Sequence, residues 1–296
     1  MRRPASPRGP ALLLALTLAA SPALAQPSQP AGPAASGQPP VQDHAQWVAC
    51  LARFKVVGLP VLRSEDARAE QFPRVICRRG YALSFNTRTL NPDWVIERLS
   101  PSELRGKAAR SDAFPTDVLL GKFSPVRTDY TGSGFDRGHQ APAADSRFDQ
   151  QVMNDSFYMS NMSPQVGIGF NRGQWKYLEE AVRAWVLCGG HTDVVVMTGP
   201  IYGDSVRVLP KRGILVPKAY YKIVYDVRTN RAVGFRLDNR AHAKTDLQAF
   251  IVPIERLEDE TGIDFFPVFP RRQQSQLEKP QGILWGHDQS CTNVDE

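Results

Sequence analysis

The chain has 296 residues and a formal charge of +6, a mild basic excess that excludes a dedicated nucleic-acid packaging protein. Its length suits one large domain or two small ones. Its four cysteines, Cys50, Cys77, Cys188 and Cys291, contain no C-x-x-C spacing, which argues against a zinc-thiolate site and for two disulfides.

Three connectivities are open to four cysteines. Cys50–Cys77 with Cys188–Cys291 is preferred, because the second pair would tether the C-terminal tail to the core. At the N-terminus, Arg2, Arg3 and Arg8 precede an apolar run from Ala11 to Ala20 that is too short to span a bilayer. Ala23-Leu24-Ala25 supplies the small residues of a cleavage site. Residues 1–25 therefore read as a signal peptide, and a secreted or periplasmic protein with no membrane attachment is expected. That segment carries three arginines and no acid, so its removal leaves +3. Residues 26–42 are rich in Pro, Gln, Ala and Gly, bury too little apolar surface to order themselves, and read as a flexible linker. With no second linker, repeat or hydrophobic helix, residues 43–296 are expected to form a single domain.

Along that domain, Trp47, Val48, Leu51 and Phe54 predict an amphipathic helix over 44–54. Tyr81 to Phe85 alternates as a strand, Asn86 to Pro92 is a turn, and Trp94 to Leu99 returns as a second strand. Residues 100–135 form a long irregular segment of the kind that is often functional. Phe157 to Ser160 is expected to be a short apolar strand. Trp175, Leu178, Val182, Trp185 and Val186 predict a helix over 173–188, ended by Gly189-Gly190. A strand over 192–198, a hairpin of 219–227 with 231–237 through Thr229-Asn230, and a short helix within 253–262 complete the reading. The tail is polar from Arg271 until Ile283-Leu284-Trp285. These elements predict an α+β fold with a mixed, mainly antiparallel sheet and one main helix carrying site residues.

Two dense patches carry the chemistry. The first, Asp136-Arg137-Gly138-His139, sets an acid, a guanidinium and an imidazole side by side, and His139 is a candidate general base. The second holds Asn161 to Gln165, then Asn171 and Glu179. Taken alone, Asn171 reads as a helix N-cap and Glu179 as a solvated face. Beside His139 they suit Mg²⁺, which takes oxygen ligands, keeps several waters and is held by few protein groups. No G-x-S-x-G, G-x-x-x-x-G-K-[ST] or H-E-x-x-H run is present, which argues against a serine hydrolase, a phosphate-loop enzyme and a zinc protease.

Asp136-Arg137-Gly138-His139, Ser160-Asn161-Met162-Ser163-Pro164-Gln165 and Asn171-x-Gly173-x-Trp175-x-x-Leu178-Glu179 together resemble the DNA/RNA non-specific endonucleases. These ββα-metal nucleases include secreted bacterial enzymes and a mitochondrial one. The resemblance extends loosely from about Tyr81 to Pro267. It implies a ββα-metal site, His139 as the base, Asn171 as the one direct protein ligand of Mg²⁺ (Mn²⁺ substituting), and Glu179 behind it. It further implies Arg137 at the phosphate, Asn161 as support, an arginine from the early hairpin (Arg88, with Arg98 as the alternative), and products with 5′-phosphates. DNA and RNA are the implied partners, with little sequence preference because phosphate and metal contacts carry no base information. Homodimers occur in the family. Arg127, Arg147, Arg172, Lys176, Lys211 and Arg212 are candidates to line the approach. The competing functions are a metal-dependent phosphodiesterase of small or lipid phosphates and a non-catalytic extracellular nucleic-acid binder.

Overall fold

A computed structural model of the chain describes residues 42–65, 74–205, 207–278 and 284–286. The expected signal peptide, the linker up to residue 41 and Cys291 lie outside the described residues. Helix α1 (His44–Phe54) opens on Asp43, whose carboxylate accepts the Gln46 N–H and so satisfies one of the free donors of the first turn. Strands β1 (Val61–Leu62), β2 (Val75–Cys77), β3 (Tyr81–Asn86) and β4 (Asn91–Leu99) follow, then a single helical turn α2 (Pro101–Leu104). Next come β5 (Phe135–His139), α3 (Gln150–Ser156), β6 (Met162–Val166), α4 (Trp175–Cys188), β7 (Val194–Ile201), β8 (Ala219–Asp226) and β9 (Arg231–Asp238). The chain closes with β10 (Ile251–Val252), α5 (Ile254–Thr261), β11 (Ile263–Asp264) and α6 (Arg271–Glu278).

The core is a seven-stranded sheet in the order β10-β9-β8-β7-β4-β3-β2, with every pairing antiparallel. β7 and β8 are buried along their whole length, because both faces of the sheet are covered. Side chains alternate across a strand, so neighbours along the chain enter opposite layers. Val195, Met197, Tyr221 and Ile223 pack with α1 and α5, whereas Val194, Val196, Tyr220 and Val224 pack with α4 through Trp175, Leu178, Val182 and Trp185. The β8–β9 hairpin turns at Asn230, whose φ of +53° falls in the left-handed region that Asn tolerates.

The fold is α+β and mainly antiparallel, as expected. Cys50 and Cys77 are joined, which pins α1 to β2, and Cys188 is disulfide-bonded as well. One local expectation needs correction. Residues 157–160 are not a strand: Phe157 caps α3, and Met159–Asn161 form a 3₁₀ turn. The apolar composition there serves burial, since Phe157 and Met159 are fully enclosed. The Asp136 patch, left without an assigned element by the sequence, is strand β5. Segment 100–135 is ordered by Asp117, a fully buried carboxylate that caps Leu119, pairs with Arg78 at 2.7 Å and accepts the Ser160 hydroxyl at 2.5 Å.

Candidate active site

β5 and β6 form a separate two-stranded antiparallel ribbon, which runs into an irregular turn (Gly167–Gln174) and then α4. In its register His139 lies opposite Met162, Gly138 opposite Ser163 and Asp136 opposite Gln165. Gly138 is required by close approach: a Cβ there would sit 2.0 Å from Gln165 Oε1. Asn161 holds the end of the ribbon. Its amide donates to the Ala141 and Ser156 carbonyls at 2.9 and 2.8 Å and its oxygen accepts the Ala141 N–H at 3.0 Å. Fully buried, with both amide N–H groups and its oxygen engaged by backbone, Asn161 fixes the chain just beyond His139.

His139 sits in an aromatic and cationic box. Its ring lies edge-to-face with Phe157 at 4.8 Å and tilted against Phe114 at 5.9 Å. The Arg137 guanidinium stacks 4.4 Å from the Phe114 centroid, and that of Arg110 lies 4.9 Å from Phe157. Asp112 and Phe114 both have positive φ, 53° and 49°, so this segment is held in a costly backbone conformation against the site. His139 Nε2 is buried without a hydrogen-bond partner. Burial, then the charges of Arg110 and Arg137, push its pKa down to about 3, which leaves the imidazole neutral with a lone pair free.

Asn171 lies within the irregular turn and is not the N-cap of α4. That position is Gln174, which makes no side-chain cap. The Asn171 amide nitrogen donates to Asp136 Oδ2 at 2.9 Å, and Arg172 Nε pairs with the same carboxylate oxygen at 2.9 Å. Because the NH₂ group is committed to Asp136, the amide oxygen is the atom left to bind a cation. A hard oxygen donor of this kind fits a divalent ion such as Mg²⁺. Among the described residues no three His, Cys, Asp or Glu cluster as a metal cage, so few protein ligands are on offer.

Glu179 points into a charged layer between α4 and the sheet. Lys222 on β8 is fully buried, donates to Thr198 on β7 at 2.7 Å, and lies 5.0 Å from the Trp175 ring. Arg183, four residues along α4 from Glu179, pairs with Asp145 at 3.0 Å, both buried. Burial raises the Glu179 pKa to about 7, with Lys222 and Arg183 opposing the rise and Asp145 adding to it. Glu97 on β4 is pushed well up by burial and by Asp145.

The arginine expected from the hairpin resolves differently. Arg98 forms a bidentate pair with Asp193 at 2.7 Å and belongs to the frame. Arg88 is exposed on the β3–β4 turn, its N–H bonded to Asn86. The second arginine whose charge acts on His139 is Arg110, from the 100–135 segment. Only the irregularity of that segment hinted at it. Of the other basic candidates, Lys211 and Arg212 bond to the Thr128 and Lys122 carbonyls and tie loops together.

Residues 63–272 match the family model described as DNA/RNA non-specific endonuclease. A mitochondrial nuclease of Saccharomyces cerevisiae is 36% identical over 224 residues, 68% of each chain. The human mitochondrial endonuclease G is 33% identical over 233 residues, 73% of each. "Nuclease 1, mitochondrial" of Schizosaccharomyces pombe is 34% identical over 225 residues, 67% of each. A chain in the crystal structure of the EndoG/EndoGI complex, which concerns EndoG inhibition, superposes with a TM-score of 0.60 at 32% identity, covering 68% of this chain and 88% of that one. These relatives overturn the expected secreted or periplasmic location, since all three are mitochondrial nucleases. The physical reason is that an arginine-bearing, acid-poor leader is a feature that organelle transit peptides share with export signals.

Proposed function

The chain belongs to the DNA/RNA non-specific endonuclease family, and from that premise we propose a Mg²⁺-dependent hydrolysis of both polymers with His139 as general base. The observation that carries the proposal is the neutral His139 imidazole, with its unpartnered Nε2 beside two guanidinium groups. The whole activity is assigned to the single domain 43–296. Mn²⁺ is expected to substitute, and 5′-phosphate products follow if the P–O3′ bond is the one broken.

A pKa of about 3 makes His139 a weak base in the free protein. A phosphodiester seated against Arg110 and Arg137 changes that, because its negative charge offsets the two cations that depress the imidazole. His139 then accepts the proton of a water whose oxygen bonds to phosphorus as the 3′-oxygen leaves. The two arginines offer fixed positive charge where the phosphoryl oxygens gain negative charge. Asn171 would hold the metal through its amide oxygen with water completing the shell, and Glu179 would stand behind as the carboxylate that orients those waters. When bound, the metal supplies positive charge to the phosphate and to the departing oxygen. Asp136 keeps the Asn171 amide turned the right way. Arg88 is retained as a contact to substrate beyond this core.

Incubating supercoiled plasmid and RNA with the protein, in Mg²⁺ and in EDTA, tests the proposal. Metal-dependent loss of both polymers with 5′-phosphate ends is expected. Cleavage of a small chromogenic diester alone, or of nothing by folded protein, would contradict it.

A further inference from the structure

Next to Asn171 the irregular turn, the start of α4 and the loop after β9 border an open cavity of about 250 Å³. Arg172, Lys176 and Lys244 line it, with Tyr177 and Gln174 between them and Glu180 as the one carboxylate. Glu180 is paired with Lys176 at 2.7 Å. Lys244 stands 4.9 Å over the Tyr177 ring. Arg172 shares Asp136 with Asn171, so the cavity wall and the candidate metal ligand are joined through one carboxylate.

The cavity is built, not a chance gap between loops. Gln174 donates to the Thr245 carbonyl at 2.7 Å and accepts the Thr245 N–H at 3.0 Å, and the His242 N–H reaches the Gly169 carbonyl at 3.1 Å. Gly169, at φ +81°, passes so close to the second loop that a Cβ would lie 2.9 Å from Ala241. Arg172, Lys176 and Lys244 against the two carboxylates Asp136 and Glu180 leave the wall net positive, and beside an aromatic ring and open to solvent it suits a polyanion that runs on from the scissile phosphate.

We propose that this cavity is a subsite for the phosphodiester backbone adjacent to the bond that is cut, an inference that rests on the nuclease reading above. It adds affinity for long polymers and nothing to the bond-breaking step, because it lies beside the reacting groups and does not include them.

The test uses the full chain and the double variant Lys176→Ala/Lys244→Ala, with Lys176→Arg/Lys244→Arg as the charge-conserving control. Binding of a fluorescent single-stranded oligonucleotide is read by anisotropy in EDTA over a salt series. Losing two phosphate contacts should flatten the log–log salt slope by about 1.4, and the double Arg variant should restore it. Cleavage of the polymer should weaken through KM, while hydrolysis of bis(p-nitrophenyl) phosphate in Mg²⁺ stays within about twofold of wild type. An unchanged slope would overturn the subsite, and so would an equal loss on the small diester. If the wild type cleaves neither substrate, the nuclease reading fails, and the binding arm still decides the subsite.

Discussion

At the scale of single residues, one carboxylate controls what Asn171 can do. Without Asp136 the Asn171 amide loses the acceptor that turns its oxygen outward. Asp136→Ala should raise the Mg²⁺ concentration for half-maximal cleavage by roughly 10–100-fold, as expected when a ligand loses its supporting hydrogen bond. An unchanged metal titration would remove Asp136 from that role. The pH profile separates the two titrating groups. His139, with a pKa of about 3, is already deprotonated in the free protein across the working range. Glu179, at about 7, is protonated below neutrality and ionised above it. The acid limb of kcat/KM, which reports the free enzyme, should therefore lie near pH 7 and vanish in Glu179→Gln. A limb that survives in that variant would contradict the role of Glu179. Gly138→Ala should destabilise by about 1–3 kcal/mol, read from denaturant unfolding, because its Cβ has no room against Gln165.

At the scale of elements, the layer between α4 and the sheet couples folding stability to the titration of Glu179. Lys222 and Thr198 face each other in the β7–β8 register, and both lie beneath the α4 face that carries Glu179 and Arg183. A carboxyl group whose pKa rises on folding stabilises the fold at low pH and loses that contribution as pH climbs. For Glu179 the window runs from its ordinary value of 4.5 to about 7. Lys222→Met removes a cation that opposes this loss, so stability should fall more steeply between pH 5 and 8 than in the wild type. Parallel stability–pH curves for the two proteins would contradict that coupling. Periodicity revealed α1, α4, α5 and the two hairpins because each buries a regular apolar face. It did not reveal β5, whose residues are polar since they line a site and not a core. Nor did it reveal α3, whose burial rests on Val152 and Met153 within a polar stretch.

At the scale of the whole molecule, the three motifs were legible in the sequence because each is short and chemically dense, whereas Arg110 was not. It reaches His139 through a segment whose path is set by the buried Asp117 hub and by two left-handed residues, a tertiary outcome that no local pattern encodes. The charged layer was equally hidden, since Glu97, Lys222 and Asp145 are far apart in the chain. The Cys50–Cys77 link closes a loop with a sequence separation of 27 and joins α1 to β2. Removing it should cost about 3 kcal/mol and lower Tm, leaving turnover at 25 °C intact. The central claim, that His139 is the base, is tested most directly by turnover of supercoiled plasmid in Mg²⁺ by His139→Ala beside the wild type. The expected result is a loss of about 10²–10⁴-fold with unchanged melting and DNA binding. Near-normal turnover by a folded variant would contradict it.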